Sequence, residues 1–118
     1  MKKGSWPKPS MELNELLDKH VSRFDADKRQ TFGFPCYFVN GNMFVGTFSN
    51  VLFARFSVQD RESLDKGRLG SDFEPVKGHK MTDYRVLSKE VLEVPNVLDA
   101  WLDRSYAYVT SLKPKKKS

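Results

Sequence analysis

Apolar residues are patterned most clearly along residues 32–56, where three short runs of aromatic and β-branched side chains are separated by two turn signals. Asn40 and Gly41 tolerate the positive φ angles that a type I′ hairpin requires, and Ser49 with Asn50 supplies a second turn. The pattern therefore predicts a meander of three antiparallel strands.

Pairing the strands through these turns predicts which side chains share a face of the meander. One face is expected to carry three rows: Phe38 with Met43 and Phe56, Cys36 with Val45 and Ala54, and Phe34 with Thr47 and Leu52. The opposite face is also substantially apolar, and a sheet with two apolar faces needs cover on both or a partner on one. Pro35 has no backbone N–H for the ladder, which favours a first strand that lies at an edge of the sheet or starts at this residue.

Helical spacing predicts one helix before the meander and two after it. Ser10 is the expected N-cap of a first helix that extends to about Phe24. Ser57, followed three residues later by Asp60, opens a second, short helix that Gly67 ends. Ser88 is expected to cap a short turn through Val94, and Pro95 starts the last helix. Its expected apolar face consists of Leu98, Trp101, Leu102, Ser105, Val109 and Leu112.

Two further strands are predicted at residues 73–77 and 81–87, joined by a turn around Gly78. The element order is then α-β-β-β-α-β-β-α. Because runs of strands do not alternate singly with helices, the predicted class is α+β, with helices packed on a largely antiparallel sheet of about five strands. We expect one domain at residues 11–112, between a flexible basic N-terminal tail at 1–10 and a lysine-rich C-terminal tail at 113–118.

The positive charge of the chain is concentrated in these tails. The net charge is +5, and seven of the 20 basic residues are tail lysines, whereas all 15 acidic residues lie between Glu12 and Asp103. The body thus carries 13 basic against 15 acidic side chains, a net charge of −2. Lysines in a tail offer only nonspecific, salt-sensitive phosphate contacts, and solubility is their usual role.

No apolar run approaches the ~20 residues that span a bilayer, and the first residues lack the apolar core of a signal peptide. We therefore expect a cytoplasmic protein without a membrane partner. Its single cysteine, Cys36, excludes an internal disulfide.

Few residues suggest chemistry. Cys36 would be a nucleophile only with a base in reach, and its mid-strand position favours a buried, inert thiol. His20 is interpreted as a boundary residue of the first helix and His79 as a solvated turn residue. Asp99 and Asp103 are interpreted as a solvated helix face. The chain lacks the ligand set of a usual structural zinc site and the glycine motifs of nucleotide binders, so no catalytic residue, metal or cofactor is predicted.

Several blocks of the sequence resemble one known family. They are Phe32-Gly33 before a strand, YFVNGNMFVGTF from Tyr37, LFARFS from Leu52, FEPVKGHKM from Phe73, and a closing helix with Trp101-Leu102. Their succession resembles a single-domain member of the TfoX N-terminal domain family over about residues 11–112, although Thr31 stands where the family usually has methionine. Characteristic positions of the family pattern are occupied here by Phe32, Gly33, Gly41, Met43, Phe44, Arg55, Met81 and Tyr84.

The resemblance implies an α+β fold, no enzyme, and a relation to regulators of natural competence that act with a cyclic-AMP-responsive transcription factor. We therefore expect a non-enzymatic domain that binds a macromolecular partner, preferably a protein, through an apolar sheet face or edge. The first alternative is weak nucleic-acid binding by the basic tails, with Arg29, Arg55, Lys80 and Arg85 as contacts from the body. The second is an enzyme that uses Cys36. The sequence leaves the oligomeric state open.

Overall fold

The structure is a computed structural model that describes residues 10–31 and 33–115. The elements of this part of the chain are α1 (Met11–Val21), β1 (Asp27–Thr31), β2 (Phe34–Val39), β3 (Asn42–Phe48), β4 (Val51–Arg55), α2 (Val58–Lys66), β5 (Gly70–Asp72), β6 (Tyr84–Leu87), α3 (Lys89–Leu92) and α4 (Pro95–Ser111). The six strands form one antiparallel sheet in the order β1-β2-β3-β4-β6-β5. The predicted α+β class is confirmed.

The helices begin where the sequence places their capping residues. The hydroxyl groups of Ser10, Ser57 and Ser88 each accept a hydrogen bond from the backbone N–H three residues further on, at 3.2, 3.2 and 3.4 Å. Pro95 is the first residue of α4, as predicted, because a first-turn N–H has no partner within the helix. The first helix ends at Val21, before the predicted end at Phe24.

The first strand of the sheet, β1, is absent from the predicted order. Its sequence, DKRQT, has no apolar alternation, because an edge strand can leave most of its side chains in water. Since β1 pairs with β2, the strand that contains Pro35 lies inside the sheet. The predicted edge position of that strand is wrong, whereas the alternative, a strand that starts at Pro35, is close to the observed start of β2 at Phe34.

Strand β5 lies earlier in the chain than the sequence indicates. Residues 73–77 are irregular, and the strand that pairs with β6 is the short segment GSD just before them. Residues 73–83 form a loop that turns at Gly78, whose φ of +87° favours glycine. Met81 donates its backbone N–H to the carbonyl of Phe73 at 2.8 Å, which closes the loop on itself.

A β-bulge in β3 changes the predicted faces of the meander. Phe38 lies opposite Met43, as predicted, but Tyr37 lies opposite Val45, so that Phe44 is an extra residue in β3. Cys36 therefore lies opposite Gly46, and its predicted pairing with Val45 is wrong. The predicted pairs of β3 and β4 next to the second turn are confirmed, for example Val45 with Ala54.

The two faces of the sheet carry separate apolar cores. Every helix contributes a buried residue to the first core: Leu17, Leu64, Val91 and Leu98 respectively from α1 to α4. Phe44 and Phe56 are fully buried there, and burying such a side chain stabilises the fold by ~1.5–3 kcal/mol. The second core lies on the opposite face and consists of Cys36, Phe53, Phe73 and Tyr84.

Candidate functional site

The sheet face opposite the helices is covered differently from the face on which the helices pack. Among the described residues, its core is formed by strands and by the loop at 73–83, with no helical residue. We call this surface the loop-side face. It comprises the buried Cys36, Phe53, Phe73 and Tyr84 and the half-buried Phe38, Met43, Phe48, Val51, Met81 and Val86.

Aromatic rings run across the loop-side face in a connected series. Phe73 from the loop stacks on Phe53 with ring centroids 4.0 Å apart and planes at 13°. Phe73 also meets Phe48 edge-on at 6.2 Å, and Phe53 meets Tyr84 at 5.8 Å. Such pairs contribute about 0.5–1.5 kcal/mol each beyond the area that they bury. The ring of Phe73 thus occupies the face of Phe53 on which a nucleobase would stack.

A small cavity opens between the loop and the strands. Its volume is about 60 Å³. Its lining residues are Thr31, Cys36, Met43, Thr47, Phe48, Phe53, Phe73, Pro75 and Met81. Pockets for organic ligands usually have volumes of ~300–1,000 Å³, so this cavity fits an ion or a very small molecule only.

Cys36 lies beside this cavity as a buried thiol. Its residue exposure is 1%, and burial raises the pKa of its thiol, while a hydrogen bond with Thr31 acts in the opposite direction. Opposite it on β3, Gly46 leaves room for the sulfur, because a β-carbon at Gly46 would lie 2.6 Å from Sγ. The predicted neighbours Val45 and Ala54 belong to the other core.

A charged cluster fixes the end of the loop. The carboxylate of Asp83 accepts hydrogen bonds from Arg55 at 2.9 Å and from Arg61 at 3.3 Å. The Nε of Arg55 is buried and has no hydrogen-bond partner among the described residues. Next to it, the hydroxyl of Tyr84 donates to the carbonyl of Met43 at 3.0 Å, and burial raises the pKa of Tyr84 to about 12. These contacts hold the loop against β4 and α2.

The four basic residues predicted as contacts do not form one patch. Arg85 donates two hydrogen bonds to Asp65 on α2, at 2.9 and 3.1 Å, so its side chain lies on the helix side. Lys80 is paired with Asp72 at 3.1 Å, and Arg55 with Asp83.

Arg29 differs from these three residues. It has no acidic partner within the described residues, and its guanidinium lies 4.9 Å from the ring centroid of Phe38. The contact role of the four residues stays a prediction.

Sequence reasoning missed a second charged cluster, between α1 and α4. His20 is buried rather than at the boundary, and its Nδ1 lies 2.6 Å from the Asp99 carboxylate. Arg23 donates to Asp103 at 2.6 Å. Asp99 and Asp103 thus connect α4 to α1 and to the turn that follows α1, although Asp103 is exposed as predicted. Their partners lie about 80 positions away in the chain, so no local signal could indicate the pairing. His79 is exposed, as expected.

One family model matches this chain. It is described as the TfoX N-terminal domain and matches residues 21–109. The chain belongs to this family. The matched part of the TfoX N-terminal domain runs from the last residue of α1 into α4 and includes the whole loop-side face. No curated protein matches the chain.

The residues that carry the family resemblance are divided between the two faces. Met43, Arg55, Met81 and Tyr84 lie at the loop-side face, whereas Phe44 is buried under the helices. Gly33 and Gly41 are turn residues with positive φ, and Phe32 lies outside the described residues.

The described residues of this TfoX N-terminal domain contain neither a membrane-spanning helix nor a cluster of the usual metal ligands. None of its helices within residues 10–31 and 33–115 is long and apolar enough to cross a membrane. The same part of the chain holds no group of three or more His, Cys, Asp and Glu side chains that could bind a metal ion.

Proposed function

We propose that this TfoX N-terminal domain is a non-enzymatic regulatory module of the cytoplasm that binds a protein partner through its loop-side face, in transcription or competence regulation. One observation carries the proposal: the half-buried apolar side chains defined above share a single sheet face that no helix within residues 10–31 and 33–115 covers. Contiguous apolar surface of this kind is typical of a protein interface.

The chemistry of the loop-side face favours a protein over a nucleic acid. A nucleic-acid platform needs open aromatic faces and free cations, but Phe73 covers Phe53 and the cations of Arg55 and Lys80 are paired with carboxylates. A protein surface instead needs an apolar centre with a polar rim. Val51 and Phe48 offer such a centre, and Arg29 lies on the rim beside Phe38.

The state of Cys36 supports a non-enzymatic role. The thiolate is the nucleophilic form of cysteine, and burial raises the pKa of Cys36, which favours the protonated thiol at neutral pH. The aromatic side chains around the cavity also shield Sγ from a substrate.

Photo-crosslinking in living cells tests the proposed surface. A benzophenone amino acid is placed at Val51 on the loop-side face and, as a matched control, at Val97 on α4, which is 37% exposed on the helical side. We expect a discrete, protease-sensitive crosslinked product from position 51 and none of that size from position 97.

Two results would overturn the proposal. One is the same product from both positions, or none from position 51 while the protein remains folded by circular dichroism. The other is a product that nuclease digests and protease leaves intact, which would place nucleic acid on this face.

A further inference from the structure

Three sulfur atoms belong to residues that line the small cavity of the loop-side face. Cys36 comes from β2, Met43 from β3 and Met81 from the loop at 73–83. Thiolate and thioether sulfur are the ligands that soft metal ions such as Cu(I) prefer. This donor set differs from clusters of His, Cys, Asp and Glu, since two of its three members are methionines.

The fold brings these donors together by specific means. The bulge in β3 puts Met43 on the same face as Cys36, and Gly46 provides the space in which Sγ lies. Met81 is held over the strands because its N–H bonds to the carbonyl of Phe73, whose ring is stacked on Phe53. Methionine has three rotatable side-chain bonds, so both thioethers can adjust to an ion in the cavity.

We propose that this cavity binds one monovalent, thiophilic metal ion of the Cu(I) class, with Cys36, Met43 and Met81 as its ligands. Binding exchanges a proton for the metal: the Cys36 S–H bond breaks, an S–Cu(I) bond forms, and the proton leaves to solvent without any change of oxidation state. The thioethers of Met43 and Met81 add two neutral donor bonds.

The charge of the site selects a monovalent ion. One thiolate and two thioethers carry a single negative charge, so Cu(I) or Ag(I) gives a neutral complex. A divalent ion such as Zn²⁺ would leave one uncompensated positive charge among Phe48, Phe53 and Phe73, and an unpaired buried charge is strongly unfavourable.

An ion can reach the site from solvent along the methionines. Cys36 is 1% exposed, whereas Met43 and Met81 are only half-buried. The partly exposed methionines and the buried Cys36 thus line the same cavity. The cavity volume of about 60 Å³ suits an ion and excludes an organic ligand.

The test uses Ag(I) as a redox-inert probe of the full chain labelled with ¹³C at the methionine methyl groups. The chain has four methionines, so Met1 and Met11 serve as internal controls. One equivalent of Ag(I) is expected to shift the methyl resonances of Met43 and Met81 and to leave those of Met1 and Met11 unchanged. Competition with a bathocuproine chelator then gives the affinity for Cu(I).

Single substitutions separate a three-sulfur site from a reactive thiol. We expect Met43→Leu and Met81→Leu each to lower the Cu(I) affinity by at least ~10–100-fold, the usual effect of removing a residue that only supports a metal ligand, and Met11→Leu to leave it unchanged. Leucine nearly conserves the volume of methionine, so these variants should fold. Cys36→Ala is expected to abolish binding.

Three outcomes would overturn the site. Ag(I) binding that leaves the Met43 and Met81 methyl resonances in place would show a lone thiol. Unchanged Cu(I) affinity in both leucine variants would show the same. Tight Zn²⁺ binding that depends on all three residues would contradict the selection of a monovalent ion. None of these results bears on the crosslinking test of the proposed protein interface.

Discussion

At the residue scale, the pKa of each ionisable side chain near the sheet depends on the groups that it contacts. The hydroxyl of Tyr37 donates to Asp18 at 2.6 Å, and burial together with this carboxylate raises the pKa of Tyr37. Partial burial acts to raise the pKa of Asp18, but the hydrogen bonds from Tyr37 and Lys28 outweigh it and lower that pKa. These contacts connect α1 to β1 and β2.

The raised pKa of Tyr84 predicts that the free energy of unfolding falls at alkaline pH. Its pKa rises from 10.0 to about 12 on burial, so the folded protein keeps the phenol neutral where the unfolded chain ionises. The stabilisation is therefore complete below pH 10 and is lost as the pH rises through 12, by on the order of 2 kcal/mol. Between pH 10 and 12, we expect the free energy of unfolding to fall less in Tyr84→Phe than in the wild type, as measured by urea denaturation.

Tyr108→Phe on α4 is the control for Tyr84→Phe. Tyr108 packs against the other core. Equal alkaline decreases in the wild type and in Tyr84→Phe would show that the phenol of Tyr84 is not held neutral by the fold.

At the element scale, the bulge of β3 decides what each face of the sheet presents. With Phe44 as the extra residue, both Phe44 and Val45 are buried under the helices, while Met43 is left on the loop-side face. A strand without the bulge would alternate strictly and would exchange the faces of all residues on one side of Phe44. The cavity and its sulfur atoms depend on this one inserted residue.

Gly46 gives a test of that arrangement. A β-carbon there would lie 2.6 Å from the Cys36 sulfur and 3.1 Å from both Phe53 and the carbonyl of Pro35. We expect Gly46→Ala to lower the free energy of unfolding by ~1–3 kcal/mol, the usual cost of overpacking a core. Thermal and urea unfolding measure the change.

Gly67→Ala at the end of α2 is the matched control for Gly46→Ala. A β-carbon at Gly67 meets no described atom closer than 3.4 Å, so a small effect is expected. In the double variant with Cys36→Ala, part of the Gly46→Ala cost should disappear, since the sulfur is gone. Strictly additive effects of the two substitutions would contradict the close contact.

At the scale of the whole molecule, the beginning of the C-terminal tail is joined to the sheet. The N–H of Lys115 donates to the carbonyl of Asn40 at 2.8 Å, and the side chain of Asn42 donates to the carbonyl of Lys113 at 3.1 Å. Gly41 lies against the backbone of Lys115 at a φ of +82°. Residues 113–115 thus pack on the first hairpin, and the rest of the tail lies outside the described residues.

Stepwise truncation tests this attachment. Removing residues 113–118 eliminates both hydrogen bonds, so we expect the free energy of unfolding to fall by about 1–2 kcal/mol. Removing only residues 116–118 retains the bonds and should leave stability within ~0.5 kcal/mol of the full chain. Equal stabilities of the two truncated proteins in urea would contradict a structural role for the attachment.

Much of the fold could be predicted because its signals are local. The Ser10, Ser57 and Ser88 caps, the Asn40-Gly41 turn and the start of α4 at Pro95 each depend on residues a few positions apart. The family resemblance likewise rested on short blocks, and the match at residues 21–109 confirmed it.

The amino-acid sequence by itself thus determined the element types, most turns and caps, the α+β class and the family. Only the tertiary structure decided the polar edge strand β1, the bulge at Phe44, and the ion pairs of Arg55, Arg85 and Asp99. The physical reason is that these features depend on contacts between distant parts of the chain. The polar strand β1 forms because it makes backbone hydrogen bonds with β2. The position of the bulge in β3 depends on how side chains pack on both faces of the sheet.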